Sequence, residues 1–517
     1  MSTLRASLRY EPQELQFGTS GRRGKVVDLT QLEVYINALA ELEYLLSEGD
    51  IGPGEEFYFA RDLRPSSGAI AEAIVAAIRA AGLRPVNLGF LPTPALTFYA
   101  LARGKGSMMI TGSHIPFDRN GYKTNSSKGE LLKEQEAPIH GRVATVRERL
   151  YAEAAGDSKF DSAGALKLHE ELPAEEGGAR AEWIERFTSF FAGNPLEGKR
   201  LLVYQHSAVG RDVLVELLER LGAEVVAAGR SETFVPIDTE NIGAPELATI
   251  QKLVDANGRL DAVVSTDGDS DRPLILGVEA GRARFFGGDL VGMIVAETLG
   301  ADAVVVPVSC NDAVDRGKLA AVLEPKTRIG SPFVIAGMAA ARGKGRKRVC
   351  GWEPNGGFLV GSDIERGGAV LRALATRDAF LPIVGVLVAA AESGVTLGDL
   401  FARLPKRFSK AALLREFPRA VSLEILAGLD AGRLALFFSA ALGFGAVTSV
   451  DYTDGVRALF DNGDVAHVRP SGNADELRIY AVADSQERAD AIVGMGVAEP
   501  DGILRRMENY FAGRVDS

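Results

Sequence analysis

The sequence contains little cysteine and histidine: its 517 residues include two cysteines, Cys310 and Cys350, and five histidines. Two cysteines exclude a disulfide framework, and we interpret them as ordinary buried thiols of a protein from a reducing compartment. No two histidines have the spacing that places a pair of zinc ligands on one helix face. Neither a disulfide-stabilised secreted domain nor a zinc centre is therefore predicted.

Long apolar runs are also missing. The best one, residues 380–391, has about 12 residues and contains Pro382, whereas a bilayer-spanning helix needs about 20. The first residues, MSTLRASLRYEPQELQF, lack the apolar core of a secretory signal. We expect a cytoplasmic protein without a membrane partner.

Positive charge is in deficit, with 58 Lys and Arg against 69 Asp and Glu and a formal net charge of −11. Such a chain repels nucleic acid unless basic residues are gathered locally. One basic run lies between Arg342 and Arg348, but no aromatic residues interleave it, and we interpret it as a solvated edge. Nucleic acid is therefore not expected as a partner, and an anionic ligand must bind in a local pocket.

What is present is the composition of an ordinary globular protein, 46% apolar and 25% charged, long enough for several domains. Helix-like and strand-like runs alternate through most of the chain, which is typical of α/β folds. The last segment instead indicates hairpins followed by a helix, an α+β domain. We predict α/β domains over residues 1–150, 181–281 and 282–399, a linker or insert over 151–180, and an α+β domain over 400–517.

The segment STDGDSDRPL, residues 265–274, places three aspartates at alternate positions after a buried-looking strand. Asp267, Asp269 and Asp271 can converge there on one hard divalent cation such as Mg²⁺. An EF-hand also begins D-x-D-x-D, but its Gly at position 6 and Glu at position 12 are Arg272 and Val278 here. The pattern predicts a metal site that is not a calcium EF-hand.

A second segment, MMITGSHIPFDRNGYK over residues 108–123, places Ser113 and His114 directly after an apolar strand. Taken alone, Ser113 fits a helix cap or a turn in which its hydroxyl bonds to backbone amides. A Ser-His-Asp hydrolase is the alternative, but adjacent residues of an extended loop point to different sides. The sequence also contains no G-x-S-x-G elbow, so hydrolase chemistry is not favoured.

Two further loops have the composition of ligand-binding turns. RPSGNADELR, residues 469–478, offers two guanidinium groups and backbone amides to a phosphate. GWEPNGGF, residues 351–358, offers Glu353 and Asn355 to sugar hydroxyls. Considered singly, the first loop is equally compatible with an ordinary β-turn, and the second is better explained by a simple turn.

Taken together and in order, FGTSGRRG (17–24), TGSHIPFDRNGYK, DGDSDR, WEPNGG and RPSGN resemble the signatures of the α-D-phosphohexomutase superfamily, the phosphomannomutases and phosphoglucomutases. Five ordered signatures rarely arise by chance. The resemblance implies an α/β architecture of four domains, three related α/β domains and a C-terminal α+β domain, around a central cleft. It implies an Mg²⁺-dependent intramolecular phosphotransferase that interconverts hexose 1-phosphate and hexose 6-phosphate, mannose and glucose phosphates being favoured.

The resemblance also implies roles for particular residues. Ser113 matches the phosphoserine, which passes its phosphoryl group through a hexose 1,6-bisphosphate, the implied activator. Ser113 and the three aspartates match the metal-binding set. Arg23, His114 and Lys123 match positions near the reacting hydroxyl, and Lys123 is the preferred base. The implied substrate contacts are Arg272, Arg328, Glu353, Asn355, Arg469, Ser471, Gly472 and Asn473.

The chain departs from the family's usual pattern mainly in the sugar loop. The second glycine of the usual DGDGDR is Ser270, and the frequent G-E-x-S-G-H has Asn355 for Ser and Gly357 for His. Phosphoglucosamine and pentose phosphates therefore stay open as substrates. Two other functions also stay open, a synthase that releases the bisphosphate and a non-catalytic phosphosugar-binding protein, and the oligomeric state is not predicted.

Overall fold

The structure is a computed structural model that describes residues 2–18, 20–240, 242–471 and 475–513. The chain divides into two compact units. The first unit comprises Met1–Gly287 and Asn355–Leu397, and the second comprises Gly288–Pro354 and Gly398–Ser517.

The N-terminal part of the first unit is a seven-stranded mixed sheet with helices. Its strands are β1 (Gln16–Phe17), β2 (Arg22–Lys25), β3 (Glu56–Arg61), β4 (Arg84–Phe90), β5 (Ser107–Ile110), β6 (Arg119–Ser126) and β7 (Gly129–Glu130). Its helices are α1 (Leu4–Ser7), α2 (Gln31–Ser47), α3 (Ser67–Ala80), α4 (Thr93–Leu101) and α5 (Lys133–Ala152). The strand order is β1-β2-β6-β5-β3-β4, with β7 beside β6.

Local sequence explains this arrangement. Thr30 begins α2 because its Oγ1 accepts a hydrogen bond from the Glu33 backbone N at 3.3 Å, a polar cap directly before an apolar run. Ala, Leu and Ile side chains of α2 and α3 fill the core of this region. Because β5 and β6 are antiparallel neighbours, the intervening TGSHIPFD loop leaves and returns at one edge of the sheet.

Residues 178–285 form a second sheet in the same unit. Its elements are α6 (Gly178–Phe190), β8 (Arg200–His206), α7 (Arg211–Arg220), β9 (Glu224–Arg230), α8 (Ala244–Ala256), β10 (Ala262–Thr266), β11 (Pro273–Glu279) and β12 (Arg282–Phe285). The order is β12-β11-β10-β8-β9. Strands β11 and β12 form an antiparallel hairpin, so this sheet continues past the boundary predicted at residue 281. The aspartate segment is the turn between β10 and β11.

Residues 288–397 supply strands to both units. In the second unit lie α9 (Gly288–Thr298), β13 (Ala303–Val305), α10 (Ala313–Arg316), the 3₁₀ helix Lys318–Val322, α11 (Ser331–Gly343) and β14 (Val349–Trp352), with β13 parallel to β14. In the first unit lie β15 (Phe358–Val360), β16 (Ile364–Arg366), β17 (Ala369–Leu371), β18 (Leu374–Asp378) and α12 (Phe380–Ser393), with β15 antiparallel to β18.

The C-terminal part of the second unit is an antiparallel sheet with helices. Its elements are α13 (Leu397–Phe401), β19 (Phe408–Arg415), α14 (Arg419–Gly428), α15 (Ala431–Phe437), the 3₁₀ helix Ala440–Leu442, β20 (Val447–Asp451), β21 (Val456–Phe460), β22 (Val465–Pro470), β23 (Glu476–Ala483), α16 (Gln486–Val497) and α17 (Ile503–Phe511). The order is β19-β23-β22-β21-β20, and α14 to α17 contribute to an apolar core on it.

The predicted fold class is confirmed: repeated α/β regions precede a C-terminal α+β region. Both cysteines are buried thiols, as expected from their number. No helix in the described ranges has the length and apolar character needed to cross a membrane.

Candidate active site

Ser113 lies at the centre of the candidate site, at the loop after β5, and is fully buried. Its Oγ donates a hydrogen bond of 2.6 Å to Oδ2 of Asp267 and lies 3.3 Å from Nδ1 of His114. The φ of Ser113 is 52°, in the left-handed region that non-glycine residues seldom adopt. The Thr111 hydroxyl helps to hold this conformation by accepting a 2.7 Å bond from the Ser113 backbone N.

Arg64 and Asp62 hold the Ser113 loop in place. The Arg64 guanidinium donates to three loop carbonyls, including those of Ser113 at 2.9 Å and Ile115 at 2.5 Å, and to the carbonyl of Arg119 at the start of β6. Asp62 in turn lies 3.3 Å from Arg64 Nε and accepts from the Gly112 backbone N. A planar fork that satisfies several carbonyls fixes the loop more firmly than a single donor would. These two residues therefore position the serine although neither touches its hydroxyl.

Asp267, Asp269 and Asp271 form a buried group whose ligand oxygens lie within 4.8 Å of one another. Oδ1 of Asp269 and Oδ1 of Asp271 are buried and accept no hydrogen bond from any residue that the structure describes. Burial and the two neighbouring carboxylates raise the pKa of Asp267 well above its usual value. A hard divalent cation would relieve this repulsion and use the bare oxygens, so the donor set fits a metal ion.

Lys123 and Arg377 supply the positive charge beside this group. Lys123 Nζ donates to Oδ2 of Asp269 and Oδ2 of Asp271, both at 2.6 Å. Arg377 Nη2 donates to the same Asp271 oxygen at 2.8 Å, and Thr93 Oγ1 donates to Asp269 at 2.7 Å. Burial opposes ionisation of Asp271, but Arg377 and Lys123 hold its pKa below the usual range.

The structure brings the other predicted catalytic residues to the same place. Arg23 Nη1 donates a 2.5 Å bond to the Gly112 carbonyl, directly before Ser113. Burial lowers the pKa of Arg23 to about 10, so its guanidinium stays protonated at neutral pH. The positive charge of Arg272, followed by burial, lowers the pKa of His114 well below its usual value, which makes the imidazole neutral. Arg272 Nε lies 3.6 Å from Oδ1 of Asp271.

Ser270 shows how the aspartate segment accommodates a serine where the family usually has a glycine. Its φ is 60°, a conformation that glycine adopts without strain. The Ser270 hydroxyl accepts from the Gly210 backbone N at 3.0 Å and pairs with the Thr266 hydroxyl at 2.8 Å, which offsets the strain. Glycine is retained at 268, where a Cβ would lie 2.7 Å from the Ser113 carbonyl. The aspartate loop and the serine loop are therefore packed backbone against backbone.

Asn355, a predicted substrate contact, is buried in the first unit. Its Oδ1 accepts from the Gly357 backbone N at 2.9 Å, and its carbonyl accepts from Thr239 Oγ1 at 3.1 Å. The side chain thus shapes the Gly-rich turn in this structure, and its contact with a sugar stays a prediction.

Apart from Arg272, which lies beside Asp271 in the first unit, the other predicted substrate contacts belong to the second unit. Arg469 Nε donates to Asp454 Oδ1 at 2.8 Å, and Asp454 Oδ2 accepts from the Ile329 backbone N at 2.9 Å. Asp454 therefore connects Arg469 with the loop that carries the exposed Arg328. Ser471 and Glu353 are also in this unit and are buried, whereas Gly472 and Asn473 lie outside the described residues.

Sequence reasoning missed Arg64, Asp62, Thr93 and Arg377. The first two stand in FARDLRPSS, where charged residues directly after an apolar strand were a usable signal. Thr93 and Arg377 carried no such signal, because their contacts with the aspartates depend on how distant segments pack.

Models of one protein family match most of this chain. The phosphoglucomutase/phosphomannomutase alpha/beta/alpha domains I, II and III match residues 14–150, 181–280 and 287–408, and the C-terminal domain matches residues 430–497. The chain belongs to the phosphoglucomutase/phosphomannomutase family. The predicted membership of the phosphohexomutase superfamily is confirmed, and with it the enzyme class of a phosphosugar mutase.

Two relatives cover nearly the whole chain. A phosphomannomutase of Sinorhizobium fredii is 39% identical over 93% of this chain and 98% of its own length. A phosphomannomutase of Salmonella muenchen is 37% identical over 93% of this chain and 94% of its own length.

Solved structures share the fold at low sequence identity. A phosphoglucomutase/phosphomannomutase family protein from Burkholderia thailandensis has a TM-score of 0.71 at 18% identity, covering 100% of this chain and 99% of that one. An Aspergillus fumigatus N-acetylphosphoglucosamine mutase, solved with GlcNAc-6P and magnesium, has a TM-score of 0.59 at 17% identity, covering 98% and 97%.

Proposed function

We propose that this enzyme interconverts hexose 1-phosphate and hexose 6-phosphate with Ser113 as the phosphoryl carrier and Mg²⁺ as the metal. The observation that carries the proposal is the 2.6 Å hydrogen bond between Ser113 Oγ and Asp267 Oδ2. It joins a nucleophilic hydroxyl to a buried carboxylate group 154 residues further along the chain. Mannose phosphate is the first substrate to test, because the relatives at 39% and 37% identity are phosphomannomutases.

Asp267, Asp269 and Asp271 would hold the metal ion, together with an oxygen on Ser113. Bound there, Mg²⁺ supplies Lewis-acid neutralisation of phosphoryl charge. Arg23 and Arg272 add permanent positive charge for the phosphoryl oxygens, and Arg64 keeps the serine loop rigid while Ser113 gains and loses its phosphoryl group.

The proposed reaction consists of two transfers. In the first, the bond between Ser113 Oγ and phosphorus breaks, the substrate hydroxyl oxygen forms the new bond to phosphorus, and its proton passes through a base to Ser113 Oγ. In the second, the bisphosphate has turned around and Ser113 Oγ forms a bond to its other phosphorus. The bond between that phosphorus and its sugar oxygen breaks, and the Ser113 proton passes through the base to that oxygen. Hexose 1,6-bisphosphate is thus both the intermediate and the activator that loads an unphosphorylated enzyme.

Lys123 is the proposed base. Its Nζ lies between Asp269 and Asp271, next to the place where the phosphoryl group is exchanged. A divalent cation on the same carboxylates weakens their hold on the ammonium by charge repulsion, which frees Lys123 for the substrate. His114, 3.3 Å from Ser113 Oγ, is the alternative base.

The proposed phosphate contacts are Arg328, Arg469, Ser471, Gly472 and Asn473, and the proposed sugar contacts are Glu353 and Asn355. Arg469 is supported by its geometry, because Asp454 holds Nε while the other guanidinium nitrogens donate no hydrogen bond within the described ranges.

The test is to incubate the purified enzyme and Mg²⁺ with mannose 1-phosphate, glucose 1-phosphate or glucosamine 1-phosphate, with and without a hexose 1,6-bisphosphate. Phosphorus NMR follows the products, and Ser113→Ala is the control. We expect conversion to the 6-phosphate, fastest for mannose, with the bisphosphate needed only in catalytic amounts. Bisphosphate accumulating beyond the amount of enzyme would identify a synthase instead, and no conversion of any sugar would reject the proposal.

A further inference from the structure

Arg377 contacts the metal-binding segment although no sequence signature pointed to it. It is the penultimate residue of β18, and only 2% of it is exposed. Its Nη2 and Nε both donate to Oδ2 of Asp271, at 2.8 and 3.2 Å. A predicted metal ligand is therefore held by an arginine from a distant part of the chain.

The two oxygens of Asp271 have different surroundings. Oδ2 accepts from Arg377 and from Lys123. Oδ1 is buried and receives no hydrogen bond within the described ranges; Arg272 Nε lies 3.6 Å from it, an ion-pair distance. Metal-ligating carboxylates are usually held by hydrogen bonds to the oxygen that does not bind the metal. Asp271 shows this arrangement, with Oδ2 held by hydrogen bonds and Oδ1 left for a metal ion.

Gly357 explains how Arg377 reaches Asp271. A Cβ on residue 357 would lie 2.6 to 2.9 Å from Cδ, Cγ and Cβ of Arg377, closer than such carbons approach. The φ of Gly357 is outside the positive range, so its backbone alone does not require glycine. What requires glycine is the path of the Arg377 side chain across it.

We infer that Arg377 is a positioning residue of the metal site, which holds Asp271 Oδ2 so that Oδ1 stays bare for the cation, and that Gly357 is needed to let it do so. The inference rests on the proposed metal site. It links the glycine that replaces histidine in the sugar loop to the arginine at position 377. It also gives Asp271 a second cationic partner, so that Lys123 can leave the carboxylate during proton transfer.

Manganese is the probe, because its binding to the purified enzyme can be titrated by EPR without turnover. We expect Arg377→Gln to weaken Mn²⁺ binding by about 10- to 100-fold, the usual effect of removing a residue that supports a metal ligand. Arg377→Lys should lose less Mn²⁺ affinity, because lysine keeps the positive charge although it cannot donate two hydrogen bonds from a planar guanidinium. Arg366→Gln is the matched control. Arg366 pairs with Glu392, so the Arg366→Gln enzyme should bind Mn²⁺ as the wild type does.

A double-mutant cycle separates positioning from a general loss of stability. Gly357→Ala should displace the Arg377 side chain and weaken Mn²⁺ binding about as much as Arg377→Gln does. The double variant Gly357→Ala/Arg377→Gln should then bind Mn²⁺ no more weakly than Arg377→Gln alone. Should Arg377→Gln fail to fold, Gly357→Ala and Arg377→Lys still carry the test. Wild-type affinity in Arg377→Gln or in Gly357→Ala, with normal binding by the unaltered enzyme, would overturn this inference alone. Absence of Mn²⁺ binding by the unaltered enzyme would overturn the proposed metal site as well.

Discussion

Ser113 Oγ and Asp267 Oδ2 lie 2.6 Å apart, although 154 residues separate them in the chain. Ser113 follows β5 of the first sheet, and Asp267 follows β10 of the second. The first loop supplies a hydroxyl and the second supplies carboxylates that could hold a metal ion, so the proposed phosphoryl transfer requires both loops. Gly268 packs closely on the Ser113 carbonyl, and this contact lets the two loops lie side by side.

Lys123→Ala should lower turnover by about 10²- to 10⁴-fold, the range typical of a lost general acid-base group. Lys123→Arg keeps the charge but holds its proton too tightly to act as a base, so its turnover should be similarly slow. If Lys123 acted only through its charge, Lys123→Arg would restore turnover. Steady-state rates with a saturating sugar phosphate measure this. A near-normal rate in Lys123→Ala would move the base to His114.

Asp269→Asn should lower both divalent-cation affinity and turnover by more than the 10- to 100-fold expected for a supporting residue. Thr93→Val, which removes only the 2.7 Å bond to Asp269 Oδ2, should stay within that range and recover at high Mg²⁺. Titration of activity against Mg²⁺ distinguishes the two variants. Equal effects of both would mean that Asp269 is not a ligand.

Asp454→Ala should raise KM for the sugar phosphate by about tenfold and change kcat less. Without Asp454, Arg469 loses the partner of its Nε, and the Ile329 backbone N loses an acceptor. Asp454→Asn, which keeps an acceptor, should raise KM less. An unchanged KM in Asp454→Ala would remove Arg469 from the phosphate site.

Asp289 should make stability depend on pH in a direction unusual for an aspartate. Burial raises its pKa to about 6, against an unfolded value of about 4. Between these values only the folded state binds the proton, so the free energy of unfolding falls as the pH rises from about 4 to about 6. Asp289→Asn escapes this loss and should gain about 2 to 3 kcal/mol relative to the wild type above pH 6.

Thermal unfolding at about pH 4, the lower end of this interval, and at about pH 7, above its upper end, measures the effect. The exposed Asp501 provides the control, because Asp501→Asn makes the same chemical change at a carboxylate that is not buried. If the stabilisation by Asp289→Asn did not grow with pH, the raised pKa of Asp289 would be contradicted.

The sequence was sufficient to predict what lies within one segment. The aspartates follow β10 as expected, because an apolar strand and alternating carboxylates are both local patterns. The C-terminal α+β region was recognisable in the same way, from its short alternating runs. The hairpin from β11 to β12 was not recognised, because its two-residue turn brings no strong composition change.

What the sequence could not predict are the contacts between distant segments to which the family signatures assign no role. Arg377 reaches Asp271 only because Gly357 leaves room for it, and no spacing rule relates these three positions. The same holds for Thr93, which begins α4 and bonds to Asp269. Asn355 Oδ1 accepts a hydrogen bond from the Gly357 backbone N of its own turn, so its contact with a sugar stays a prediction.

The central claim is that Ser113 carries the phosphoryl group. The most direct measurement is the intact mass of dephosphorylated enzyme after incubation with Mg²⁺ and hexose 1,6-bisphosphate, followed by fragmentation of the peptide that contains residues 108–123. We expect the enzyme to gain the mass of one phosphoryl group, located on Ser113, and Ser113→Ala to gain none under the same conditions. A phosphoryl group on another residue, or normal sugar-phosphate interconversion by Ser113→Ala, would contradict it.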